Sequence, residues 1–107
     1  MKETLFKLLV DYVFAPGSRR AFTFTKDRVA IGRSRENDIR LANPLRLVSR
    51  QHVEILREAG TYWIVDLGSK NATWLNGQRL EAQRRYTLQD GDNFRVGDFQ
   101  IEFLMAK

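Results

Sequence analysis

Short runs of alternating residues, broken by turn pairs, constrain this chain more than any other feature of it. Phe22 and Phe24 alternate with Ala21, Thr23 and Thr25, and Val29 and Ile31 continue the habit after a turn at Lys26-Asp27. Val53-Glu54-Ile55 is answered across Ala59-Gly60 by Tyr62 to Val65, and Phe94/Val96 across Gly97-Asp98 by Phe99/Ile101/Phe103. A period of two marks a strand with one buried face. Asn76-Gly77, between Trp74-Leu75 and Gln78 to Leu80, is the strongest short hairpin signal, and Asp90-Gly91 gives another tight turn. Residues 5 to 13 fit a helical stripe through Leu5, Leu8, Leu9 and Tyr12, and equally a strand face through Leu8, Val10 and Tyr12. The turn signal Ala15-Pro16-Gly17-Ser18 and the strand after it favour a hairpin, so this segment is assigned β. Residues 34 to 50 are mostly loop, with Ser34, Asn37, Asp38, Asn43 and Pro44 as turn formers and one short strand pinned by Ile39 and Leu41. The result is about ten short strands without a convincing helix, the pattern of an antiparallel sandwich or barrel.

A chain of 107 residues, 43% hydrophobic, can bury one real core, and a single domain over residues 1–107 is expected. Cysteine is absent, which excludes disulfides and thiolate metal sites and fits a cytoplasmic protein. Leu8-Leu9-Val10 is far shorter than the roughly 20 residues a membrane helix needs. Lys2, Glu3, Lys7 and Asp11 break up the N-terminus, against a signal peptide.

The connections at 34–50 and 67–73 are uneven in length and rich in polar donors, and long polar loops on a β scaffold are where binding usually sits. Arg33, Arg35, Arg40, Arg46 and Arg50 cluster there, and Arg79, Arg84 and Arg85 form a second group, within a net charge of +5. A basic surface is by itself only solvated charge, but the first group coincides with the polar loops and points to a local anion site. An Arg such as Arg33 offers a planar fork that matches phosphate oxygens. His52, the single histidine, has neither a nucleophile in register nor a second metal ligand. No catalytic residue, metal site or cofactor is expected.

Taken in order, Gly32-Arg33, Ser49-x-x-His52 and Ser69-x-Asn71-x-Thr73-x-x-Asn76-Gly77 resemble the forkhead-associated (FHA) domain, as does Asn37-Asp38-Ile39-x-Leu41. The resemblance runs from about Phe22 to Phe103. It implies a β-sandwich of about eleven strands that binds phosphothreonine peptides through the loops at one end. Matched residue by residue, it gives phosphate contacts to Arg33 and Ser49, with Arg50 and Lys70 adding positive charge. Asn71 would hold the backbone of an extended peptide, and Leu47 would help select the residue three places after the phosphothreonine. Gly32, His52, Thr73, Asn76 and Gly77 would be structural, His52 by bracing the loops.

One position departs from the family pattern, which usually has glycine where this chain has Ala72. Alanine resists positive φ by roughly 1 kcal/mol or more, so strain is expected beside Asn71. Trp63 and Trp74 sit in strand patterns and are expected to be packing residues. The expectation is a non-enzymatic, phosphothreonine-dependent signalling module, monomeric, cytoplasmic (or nuclear in a eukaryote), with a phosphorylated protein as partner and neither nucleic acid nor membrane. The rivals are a phosphate-independent scaffold of the same fold and a basic nucleic-acid-binding β domain.

Overall fold

The structure, a computed structural model, describes residues 3–15, 17–42 and 45–106; Pro16, Asn43 and Pro44 from the expected turns lie outside them. Among these residues eleven strands follow one another: β1 Phe6–Tyr12, β2 Arg20–Phe24, β3 Arg28–Gly32, β4 Ile39–Arg40, β5 Val53–Glu58, β6 Thr61–Asp66, β7 Thr73–Leu75, β8 Gln78–Arg79, β9 Arg85–Leu88, β10 Asn93–Val96 and β11 Phe99–Met105. They form two sheets, ordered β2-β1-β11-β10-β7-β8 and β4-β3-β5-β6-β9. No helix occurs among the described residues, so none is long and apolar enough to cross a membrane.

Pairing is antiparallel with one correction to the expected pattern: β4 runs parallel to β3, with Ile31 opposite Ile39 and Gly32 opposite Arg40. A return in the same direction needs a crossover rather than a tight turn, and residues 33–38 supply it. The second correction is β9, which alternation did not reveal. Arg85 and Thr87 are exposed and Tyr86 is half-buried, so only Leu88 shows an apolar signal.

The hairpins follow from their turn chemistry. Ala59-Gly60 and Asn76-Gly77 hold both central residues at positive φ (51° and 78°, 49° and 85°), as a type I′ turn requires. Asn76 is tied further to the neighbouring turn, its Nδ2 donating to Asp92 Oδ1 at 3.0 Å and its Oδ1 accepting from the Asn93 amide at 3.0 Å.

The inward residues of the two sheets meet in one core that includes Phe6, Leu8, Val29, Ile31, Ile55, Ile64, Phe94, Ile101 and Phe103. Phe6, Tyr62 and Phe103 pack with ring centroids 5.1 to 5.5 Å apart and close one end of it. β1 and β11 lie side by side, Phe6 against Met105 and Tyr12 against Phe99. The outermost ends of both strands therefore sit together, a β1 length, roughly 20 Å, from the turn at Gly97. At that far end Gly97 meets the 45–48 segment, where a Cβ would lie 3.0 Å from Val48 Cγ2 and 3.2 Å from Leu47 Cβ. The loops carrying the polar motifs gather at this end.

Candidate functional site

Two loop systems build the site, and buried groups position both. Arg33 follows the last residue of β3, and its amide donates to the Ser49 carbonyl at 2.9 Å. The Ser34 amide donates likewise to Arg50 O, and the His52 amide to Ile31 O, both at 3.1 Å. This close seam explains Gly32. Its φ is ordinary, but a Cβ there would stand 2.3 Å from Arg50 O and 2.9 Å from Asn37 Nδ2, so only glycine fits. Asn37 completes the seam by donating from Nδ2 to Ser34 O at 2.8 Å and to Arg50 O at 2.7 Å. Asp38 accepts the Ala30 amide at 2.7 Å and pairs with Lys26. Burial works to raise the Asp38 pKa, yet these partners outweigh it and hold the carboxyl below its ordinary value.

On this frame the Arg33 guanidinium is half-buried and anchored, its Nε donating to Val48 O at 3.1 Å. The terminal amino groups of the fork are left for another acceptor. Arg33, Ser49 and Arg50 line one polar depression of about 860 Å³. Lys70 is exposed, and its amide donates to Ser49 Oγ at 3.0 Å, which leaves the Ser49 hydroxyl proton able to point outwards.

The second loop system, 66–73, hangs from Asp66, which is 2% exposed. Its Oδ1 accepts the Gly68 and Ser69 amides at 2.8 and 2.9 Å. Its Oδ2 accepts the Ser69 hydroxyl at 2.5 Å and the Thr73 hydroxyl at 2.6 Å. Burial works against the charge, but these four bonds prevail and the pKa lies below the ordinary value. Ser69 and Thr73 are thus engaged inwards.

His52 is fully buried between the loops. Its Nδ1 accepts the Ser49 amide at 3.0 Å, and its Nε2 donates to Ala72 O at 2.9 Å. An amide can only donate and a carbonyl only accept, so the ring is neutral with its proton on Nε2. Burial lowers its pKa, and the Ala72 carbonyl and the Asp66 charge offset this only in part. Ala72 carries φ of +65°, a conformation that suits glycine, while its side chain is buried. Beside it, exposed Asn71 donates from Nδ2 to Leu47 O at 2.9 Å. That bond joins the two loop systems and leaves the Asn71 carbonyl oxygen and a second N–H for a ligand.

Leu47 and Asn71 also wall a separate groove of about 570 Å³ with Trp74, Arg95 and Gln100. Trp74 is not the packing residue expected from its strand: it is 36% exposed, because β7 presents it on the outer face, whereas Trp63 is half-buried on β6. Asn37 and Asp66 are the positioning residues that the motifs did not assign. The Asp66-x-Gly68-Ser69 spacing, an Asx-turn signal, was the available clue for the second. Among the described residues no group of three or more potential metal ligands comes together.

A family model described as FHA domain matches residues 29–97. Among curated proteins, the chain is 34% identical over 89 residues to an oxoglutarate dehydrogenase inhibitor of Corynebacterium jeikeium, covering 83% of this chain and 58% of that protein. The chain spans little more than half the length of such relatives. A solved FHA domain studied for phosphothreonine-dependent interactions superposes with a TM-score of 0.80 at 31% identity, covering 97% of this chain and 99% of that one. Mycobacterium tuberculosis EmbR, solved with a low-affinity phosphopeptide, gives 0.82 at 29% identity, covering 97% of this chain and 25% of that one.

Proposed function

The chain belongs to the FHA domain family, and we propose that it is a phosphothreonine-dependent interaction module whose loop end binds an extended phosphopeptide of a partner protein. The observation that carries this reading is the Arg33 guanidinium, fixed through Nε to Val48 O and facing the depression it shares with Ser49 and Arg50. A phosphothreonine brings about −1.5 to −2 charge and three acceptor oxygens. The Arg33 fork takes two of those oxygens, the Ser49 hydroxyl donates a third bond, and Arg50 and Lys70 add charge from the rim. Asn71 bonds the peptide backbone through the amide groups that its Leu47 contact leaves unused.

Leu47 and Trp74 give the neighbouring groove an apolar wall. That supports selection of an aliphatic residue three places after the phosphothreonine. About four charge-assisted bonds at roughly 1.5–3 kcal/mol each, less the cost of association and peptide ordering, lead to micromolar affinity. His52 and Ser69 are engaged inwards, on Ala72 O and Asp66, and we read the site as one for binding rather than catalysis. We assign the whole of residues 1–107 to this one domain, acting as a single copy in the cytoplasm.

Calorimetry with a phosphothreonine peptide chosen from a library, and with its dephosphorylated twin, tests the proposal. Binding should vanish on dephosphorylation. Equal binding of the two peptides would point to the phosphate-independent scaffold.

A further inference from the structure

Five arginines elsewhere on this surface have carboxylate partners, Arg19 with Asp11, Arg28 with Glu54, Arg57 with Asp27, Arg84 with Glu81 and Arg85 with Glu58, while Arg20 lies over the Phe22 ring and Arg95 donates to Gly97 O. The depression beside Arg33 gathers several arginines without such partners in one place. It also holds Arg35, Arg40 and Arg50, and among the described residues none of the four lies within ion-pair distance of a carboxylate. Its one acid, Glu36, accepts a hydrogen bond from Ser34 Oγ at 2.7 Å. Four guanidinium charges against one carboxylate leave three positive charges, more than the −1.5 to −2 of a single phosphate can balance.

Arg40 is also planted. It projects from β4, and its Nε donates to Arg33 O at 3.1 Å, which fixes it to the main chain of the phosphate-binding residue and leaves its terminal amino groups for another acceptor. Arg35 stands on the same crossover, exposed. Leu47, Asn71 and Trp74 belong to the separate groove, which shares no lining residue with this depression.

We propose that the site is built for a doubly anionic ligand: a phosphothreonine held at Arg33 and Ser49, and a second phosphate or a carboxylate received by Arg35 and Arg40. The inference rests on the phosphothreonine reading above. Leu47 faces the segment after the phosphothreonine in that reading, so the second anion lies on the amino-terminal flank, within about three residues in extended chain. Both receiving side chains are exposed, so the gain is modest and salt-sensitive.

The test is calorimetry at low salt with phosphothreonine peptides of equal length. One has neutral flanks, one carries Glu two and three places before the phosphothreonine, one carries a second phosphothreonine there, and one carries Glu after it. The two amino-flank peptides should bind about fivefold tighter than the neutral one, the phosphorylated arm the tighter of the two. Arg35→Ala with Arg40→Ala should erase the gain while the neutral peptide keeps its affinity within about twofold. Arg35→Ala alone, which leaves the Arg40–Arg33 bond intact, should remove part of the gain and serves if the double variant fails to fold. Equal binding of neutral and amino-flank peptides, a gain that survives the double variant, or a gain only from the carboxy-flank peptide each overturns the inference. Failure of every peptide to bind would sink the phosphothreonine reading itself.

Discussion

The loop end has two halves that use the same kinds of polar group in opposite ways. In the buried half, Asp66, His52 and Thr73 have turned their hydrogen-bonding groups inwards, on partners within the two loop systems. In the open half, Arg33, Arg40 and Asn71 each give one bond to the main chain and keep further donors facing solvent. The difference separates positioning from recognition. A side chain whose capacity is consumed internally sets loop shape, and one anchored by a single bond is oriented yet still able to bind. Substitutions in the first half should therefore act on stability, and those in the second on affinity.

Asp66→Ala should show the largest effect. It strands two amides and two hydroxyls that now share one buried carboxylate, and we expect a loss of about 3 kcal/mol or more in urea unfolding. A change below about 1 kcal/mol would dissolve the distinction between the halves. Arg33→Ala should do the reverse, with an unfolding midpoint close to that of the parent protein and phosphopeptide affinity down on the order of a hundredfold. Arg33→Lys should restore only part of it, because a point charge does not reproduce the fork. Equal affinities for Arg33→Ala and the parent protein would move the anion site elsewhere.

The buried half should also respond to acid. The native His52 pKa is depressed by burial, so the unfolded chain takes up the proton first. Its contribution is complete above about pH 6.5, the ordinary value, and is lost as the pH falls towards the native value. Asp66, also lowered, contributes above about pH 3.9 and loses that contribution as the pH drops through its native value. Unfolding midpoints measured from pH 8 to 3 should fall in these two stages. His52→Asn should flatten the upper stage, and a profile unchanged by that variant would show that the ring does not carry it. The smallest effect is expected at Ala72. Ala72→Gly relieves the +65° backbone but loosens the unfolded chain, for a net gain of about half a kcal/mol and affinity retained or slightly tightened. A clear loss of affinity with the fold intact would assign the buried methyl group to shaping Asn71.

The legible parts of the sequence were those whose physics is local. Ala59-Gly60 and Asn76-Gly77 announce their hairpins because positive φ at both positions is a demand on residue type. The resemblance picked out Arg33, Ser49 and Asn71, and the structure brings these three to one end. What stayed hidden depends on distant neighbours. β9 is an edge strand with a single deeply buried residue, and the parallel pairing of β3 with β4 depends on where a six-residue crossover returns. Asp66 resembles any acid at a strand end until four donors close on it. Nor does the sequence distinguish Arg85, neutralised by Glu58 across the sheet, from Arg40, whose anchor is a carbonyl.

The side-by-side packing of β1 and β11 has an architectural consequence. Phe6 faces Met105, and the Ala106 amide donates to Leu5 O at 3.0 Å, so connections made at either edge of this domain enter and leave through one pole. The loops that carry the polar motifs occupy the other pole. A linker, fusion partner or surface attached at that first pole leaves the proposed binding face pointing outwards and unobstructed. Two such units joined by a flexible tether could engage two phosphorylated sites at once, at an effective concentration set by tether length rather than by any change in the loops.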